Sequence, residues 1–472
     1  MATTSPPSTP LSLPGRGPLV FRRRNAPGPG PSALLDSLTR LQRDPYRLFL
    51  DLRRRYGPLV RLRLGPYLTH LVTDPEDVKH VLQDNNGNYV RGRMYESFKL
   101  FFGNGLLTND GPAWQDHRRI VQPLFHKRRV EEFATLMTDE TATLLDRWTG
   151  VARSADGGPL DVVPEVMHLS LNILGRVMFG TDLGRLAEEA QPAVRVCIRA
   201  MIFTGAPDEL VPRWIPTPYN LRLRTAQRTL RGMVDGFIAA HRGQERGDLV
   251  GMLLAARDSQ TGEPLPQEAV RDELMTIFLA GHETTGTALA WTLYLLGRHP
   301  AVCRTLEDEL AGVLGGRAPT LEDLPRLPYL RMVVDETLRL YPPIWLYPRD
   351  AIGDDELGGY HIPARTSVFL SPYVTHRAPE YWDNPDACDP ERFLPERSAG
   401  RPRYAYFPFG GGQRQCIGMH MAMLQLLLFT AMVAQRFRLH PVPGHPVSCG
   451  TLVSLRPLEG ISMTIHERPG AR

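Results

Sequence analysis

The stretch from Glu268 to Arg298 constrains this chain most. Its flanks, Leu274 to Leu279 and Ala288 to Leu296, are apolar almost all round. A helix that is apolar on every side must be wrapped by other elements. His299-Pro300 closes it. In its middle stand Ala280-Gly281-His282-Glu283-Thr284-Thr285. Glycine in a helix interior costs about 1 kcal/mol against alanine. Burying an unpaired carboxylate costs more, so Glu283 needs a partner or a purpose. Together they predict a locally widened helix with a polar notch. The plainer alternative is an exposed glutamate and threonines that bond back to the preceding turn.

The rest of the pattern is mostly helical. Arg43 to Tyr56, Pro75 to Gln83, Arg129 to Trp148, Asp161 to Gly180, Glu188 to Phe203, Asn220 to His241 and Leu327 to Leu340 carry helical periodicity. Leu59 to Leu64 and Leu68 to Thr73 alternate around Gly65-Pro66 as a hairpin. Short strand-like pieces lie near Leu346 to Ala351, Thr366 to Leu370, Leu452 to Leu455 and Ile461 to Ile465. The expected class is mainly α with small β-sheets. Residues 1–32 are rich in proline, glycine and serine and are expected to be a flexible segment, with residues 33–472 as a single domain. Length alone would allow about three domains.

The formal net charge is only +4, which gives no bulk argument for nucleic acid. The five cysteines are scattered without Cys-x-x-Cys spacing, which disfavours a disulfide framework or a zinc site and fits a reducing cytoplasm. No stretch reaches about 18 uninterrupted apolar residues, so no membrane anchor is expected. Lys79, Lys99 and Lys127 are the only lysines among 55 basic residues, a bias expected of a GC-rich bacterial genome.

Cys416 lies in Phe409-Gly410-Gly411-Gly412-Gln413-Arg414-Gln415-Cys416-Ile417-Gly418, just before the apolar run Met419 to Ala434. A lone cysteine is usually a small buried hydrophobe. A thiolate can also hold a haem iron from one face, if its loop supplies glycines, free N–H groups and a helix N-terminus. The loop has the residues for all three. The segment resembles the haem-binding signature of the cytochrome P450 family, Phe-x-x-Gly-x-Arg-x-Cys-x-Gly, with Phe409, Gly412, Arg414, Cys416 and Gly418 at its fixed positions.

That resemblance implies a cytochrome P450 fold, with the long central helix over haem b (iron protoporphyrin IX). It makes Cys416 the axial ligand. Ala280 to Thr285 is similar to the family's oxygen-activating pattern, which implies that Thr284 steadies bound dioxygen and Glu283 relays protons. His282 fills the variable position and is read as a neutral packed histidine. Trp114 and Arg118 match the family's Trp-x-x-x-Arg, and with Arg349 and Arg414 resemble its donors to the haem propionates. Glu336 and Arg339, at i and i+3, look like its Glu-x-x-Arg pair, and Arg392 like the third member of a buried structural triad. Cys388 stands where the family often has phenylalanine. These residues run from Trp114 to Gly418, so they meet only if the span folds as one unit.

The activity implied is insertion of one oxygen atom from O2 into a hydrophobic small molecule. A terpenoid is favoured, with polyketide or fatty acid as other classes of the same chemistry. Pocket walls are expected to include Phe98, Phe101, Phe102, Phe278, Leu279, Ala280, Trp345, Leu346 and Leu452. A cationic run, His126 to Arg129 with Arg119 nearby, is expected to receive a ferredoxin served by a ferredoxin reductase. The protein is expected to be a cytoplasmic monomer. Two alternatives are a haem-thiolate isomerase or peroxygenase, and a non-catalytic haem sensor. The acid–threonine pair argues against both.

Overall fold

The computed structural model describes residues 24–468, except 31–38, 42, 65–66, 154–157, 181–189, 191, 195, 198–199, 201–210, 213, 242–246, 259 and 452. The central helix runs from Gln267 to Arg298. Its second half is almost continuously buried, including Thr287 to Leu293. Helix Val162–Phe179 lies along it. Gly281 permits that closeness, because a Cβ there would stand 3.0 Å from Leu174 Cδ1. The predicted widening is not seen: the helix is α throughout. Instead Thr284 Oγ1 donates to the Ala280 carbonyl, 2.6 Å away, as a back-bonding threonine does.

Helix ends follow local chemistry. Prolines open Pro45–Tyr56, Pro300–Leu314 and Pro328–Leu340, where a missing N–H removes no helical bond. Asp161 caps Val162–Phe179 by accepting from Val163 N, and Gly180 ends it in the left-handed conformation. Helix Met419–Arg436 buries every residue from Met423 to Ala434 and packs on the central helix. The run expected as one helix from Arg129 to Trp148 is two, Lys127–Glu131 and Ala134–Arg153. Between them Glu132 N and Phe133 N bond three residues back, to Arg129 and Val130, which tightens the turn. The expected helix at Glu188 to Phe203 falls largely outside the described residues.

The hairpin appears as β1 (Leu59–Leu64) and β2 (Tyr67–Val72), paired antiparallel. With β3 (Tyr89–Val90), β5 (Tyr347–Ala351) and β8 (Ser367–Leu370) it forms a five-stranded sheet in the order β1-β2-β8-β5-β3. β2 and β8 run parallel, with Thr69 opposite Ser367. A second sheet joins β4 (Leu160–Asp161), β12 (Ser462–Glu467) and β9 (Phe437–Pro441). Of the strand expected at Leu452 to Leu455, Leu452 lies outside the described residues, Val453 and Ser454 bend between β10 (Cys449–Thr451) and β11 (Leu455–Pro457), and Leu455 opens the latter.

Residues 24–30, expected within the flexible segment, lie against the sheet. Ala26 is buried, Arg61 N donates to the Pro27 carbonyl, and His361 N donates to the Arg24 carbonyl.

Candidate active site

The cysteine loop is held from behind. Gly410 N donates to Phe407 O and Cys416 N to Phe409 O, both at 2.9 Å. Gly412 has φ +63, and a Cβ there would collide with the Leu82 carbonyl at 1.8 Å, so only glycine fits. Cys416 is surrounded by the fold, yet its side chain is accessible. Burial pushes its thiol pKa up, while the Gly418 N–H and Arg118 pull it down. Burial prevails, so the thiol lies above its ordinary value.

Beneath the loop the Glu336 carboxylate is fully buried. Arg339 grips it twice, at 2.6 and 2.8 Å, and Arg392 Nε reaches it at 3.1 Å. Asp389 N donates to the same carboxylate. The remaining guanidinium protons go to carbonyls: Arg339 to His376, Pro385 and Ala387, Arg392 to Asp383 and Ala387. The triad therefore folds the segment from Asp383 to Arg392 around one carboxylate. Cys388 packs beside it, and burial raises its thiol pKa to about 12.

A cluster of guanidinium groups gathers near the loop. Arg414 lies 3.8 Å over the Trp114 ring and donates to Asp110 Oδ1 at 2.6 Å. Arg118 sits one helical turn beyond Trp114 on Gly111–Val121 and influences Cys416 electrostatically. Arg349 is buried, and burial together with Arg91 brings its pKa down to about 10. Burial and Arg91 bring Arg414 down to about 9. Arg91 donates to the Tyr95 hydroxyl at 3.0 Å, while its Nε is buried without a partner. Burial pushes the Tyr95 phenol up, but Arg91 and Arg349 outweigh it and hold the phenol below its ordinary value. Of these four guanidinium groups only Arg414 has a carboxylate partner among the described residues, Asp110. Such a set suits a ligand that brings anionic groups of its own.

The central helix faces the site with Ala280, which is exposed in mid-helix. Glu283 is buried, and its partner is Ser454, whose hydroxyl donates to Oε1 at 2.7 Å. His282 Nδ1 is 2.9 Å from the Phe278 carbonyl, and burial lowers its pKa, so it is a neutral packed histidine. Phe102, Leu106, Trp114 and Leu279 form one apolar cluster, against which Phe98, Phe278 and Ile417 pack. Trp345 does not join it. Its ring lies 5.8 Å from Phe49 in the core beside the five-stranded sheet, and Leu346 packs there too. Leu452 and the Phe101 side chain lie outside the described residues. Sequence reasoning missed Arg91 and His376, and it missed the bonds of Tyr95 to Arg91 and of Ser454 to Glu283. Arg91-Gly92-Arg93 was a basic pair around a glycine, the faint signal available for the first.

A sulfur donor under one face, with guanidinium groups close by, suits a flat macrocycle carrying two carboxylates. That is the class of haem-thiolate proteins. The chain matches the cytochrome P450 family over residues 27–459. It is 37% identical over 459 residues to cyclooctatin synthase of Streptomyces melanosporofaciens, covering 95% of each chain. It is 35% identical to cyclooctat-9-en-7-ol 5-monooxygenase of the same organism, over 91% of this chain and 94% of that one. Pentalenene oxygenase of Streptomyces avermitilis is 31% identical, over 91% and 95%. A crystal structure of the cytochrome P450DA heme domain superposes with a TM-score of 0.86 at 27% identity, covering 95% of this chain and 99% of that one. The chain belongs to the cytochrome P450 family. Its cofactor is haem, and it is an oxidoreductase that incorporates oxygen from O2.

Proposed function

We propose that this chain oxygenates a terpenoid skeleton in the cytoplasm, as a monomer, with electrons from a ferredoxin and its reductase. The observation that carries the substrate class is the apolar cluster of Phe98, Phe102, Leu106, Phe278, Leu279 and Ile417, which reaches the residue next to Cys416. It offers a compact hydrocarbon area to bury against and few polar handles. The relatives named above support the same class.

In this reading Cys416 is the iron ligand, and Arg91, Arg118, Arg349 and Arg414 balance the propionates, with Trp114 as the platform under Arg414. When bound, haem supplies the redox chemistry of oxygen activation. The protein supplies protons and order. Glu283 accepts from the Ser454 hydroxyl, and the next residue, Thr284, carries the hydroxyl. A proton given up by Thr284 is replaced through that carboxylate. Neither a peroxide-rearranging enzyme nor a sensor has a use for this pair.

The electron donor has a groove to occupy. About 800 Å³ in volume, it is lined by Arg119, Gln122, His126, Arg128 and Arg129. Gln122 accepts from Arg118 Nε at 3.0 Å, so the groove lies one hydrogen bond from the cofactor side. Arg119 contributes less than expected, because Asp258 and Asp116 already pair with it.

The test is oxygenation of a panel of cyclic terpene hydrocarbons under isotopically labelled O2, with a ferredoxin and reductase. One labelled atom per product is expected, together with a red-shifted Soret band under carbon monoxide that Cys416→Ser abolishes. Turnover of fatty acids with none of terpenes would overturn the substrate class. Loss of no band in Cys416→Ser would overturn the ligand.

A further inference from the structure

Two consecutive acids, Asp272 and Glu273, stand on the central helix two turns before Ala280. Glu273 has no exposed surface, and Asp272 is 8% exposed. Buried carboxylates need donors, and here the donors come from another element. Asn104 N donates to Asp272 Oδ2 at 2.7 Å, and Leu106 N donates to Glu273 Oε2 at 3.1 Å. The other oxygen of Glu273 bonds His117 Nδ1 at 2.8 Å.

The loop so gripped follows helix Glu96–Phe102, which carries Phe98 and Phe102. His117 precedes Arg118 on Gly111–Val121. One carboxylate thus joins the apolar wall, the central helix and the helix that carries Arg118. The loop is shaped for the grip. Gly103 has φ +60, and a Cβ there would fall 2.1 Å from the Asp272 carboxylate. A Cβ on Gly105 would fall 2.9 Å from the Asp272 carbonyl.

We propose that Asp272 and Glu273 are positioning residues that latch the loop at Asn104–Leu106 shut against the pocket, so that wall position and ligand affinity are set by this clamp. The proposal rests on the pocket reading above. Opening the loop would strand a buried carboxylate and leave two amides unpaired, so the latched state is strongly preferred. The two-residue spacing of the amides matches the neighbouring acids, which fixes the register of the wall. Neither acid touches reacting atoms.

The experiment measures amide hydrogen exchange at Asn104 and Leu106 in the holoenzyme, beside binding of phenylimidazole, an apolar ligand of haem proteins read through the Soret band. In Glu273→Ala, exchange at Leu106 should rise at least tenfold while amides from Ala288 to Leu296 hold their protection. Phenylimidazole affinity should fall at least tenfold with the carbon monoxide band intact. Glu273→Gln, which keeps an acceptor for Leu106 N, should recover most of both. Gly103→Ala attacks the clamp from the loop side and should raise exchange at Asn104 in the same way. Unchanged exchange in Glu273→Ala and Gly103→Ala overturns the latch, and so does raised exchange with unchanged affinity. An absent carbon monoxide band in the parent protein would instead overturn the haem reading, and the exchange arm would still decide the latch.

Discussion

His376 lies between the buried triad and the cysteine loop. Its Nδ1 faces the Arg339 carbonyl at 3.3 Å, and its Nε2 accepts from Phe407 N at 2.9 Å. That arrangement requires the neutral ring, with its proton on Nδ1. Burial, reinforced by Arg339, holds its pKa well below the ordinary value of 6.5. The unfolded chain therefore takes up a proton near pH 6.5 that the folded chain refuses. Stability from this group is complete above pH 6.5 and drains away as pH falls, by about 1.4 kcal/mol per pH unit. His70, held at about 4 by burial and Arg61, adds a slope of the same sign. In His376→Gln, whose amide can serve both partners, one proton's worth of that slope should vanish. Urea unfolding followed by circular dichroism between pH 5 and 7.5 checks this. An equal slope in the two proteins would show that His376 does not carry it.

Among elements, the joint between helix Pro328–Leu340 and the segment Asp383–Arg392 has the most at stake. Glu336→Ala would leave Arg339 and Arg392 buried together without their carboxylate, at a cost of roughly 3–5 kcal/mol. The expected product is haem-poor or misfolded protein, measured as the ratio of Soret to protein absorbance. Normal haem loading would remove the assignment. This joint was legible in the sequence because Glu336 and Arg339 are neighbours on one helix face, and because Arg392 sits in a recognisable Pro-Glu-Arg-Phe. The central helix was legible for a different reason: no amphipathic element could hide so many apolar residues. Arg91 and Ser454 were not legible. Ser454 meets Glu283 across a long stretch of chain, and Arg91 meets Tyr95 only four residues on, a spacing too common to mark it. Trp345 misled because bulk beside a proline pair fits a pocket wall or a sheet core equally well. Val453 and Ser454 misled because a short run does not say which way its chain turns.

For the molecule as a whole, net charge was a poor guide. The charge proposed to meet the electron donor is local, along the groove of His126, Arg128 and Arg129. Even there Arg129 faces Glu132 at 3.8 Å and Lys127 faces Glu131 at 3.7 Å, so part of the field is cancelled. Arg128 forms no ion pair among the described residues and is exposed. Arg128→Glu with Arg129→Glu should slow reduction by an acidic ferredoxin at least tenfold at low salt, and by less at high salt, as screening removes the attraction. Stopped-flow reduction under carbon monoxide measures it. Equal rates at low salt would exclude this face as the docking surface.

The parallel pairing of β2 with β8 has a consequence for how the chain is born. Thr69 finds Ser367 only after almost three hundred further residues have been made. At about 5–20 residues per second, the first hairpin waits on the ribosome for on the order of 15–60 s with an unsatisfied strand edge. Closing so long a span is also slow after release. The nascent N-terminal third is then the stage most open to chaperone capture and to aggregation.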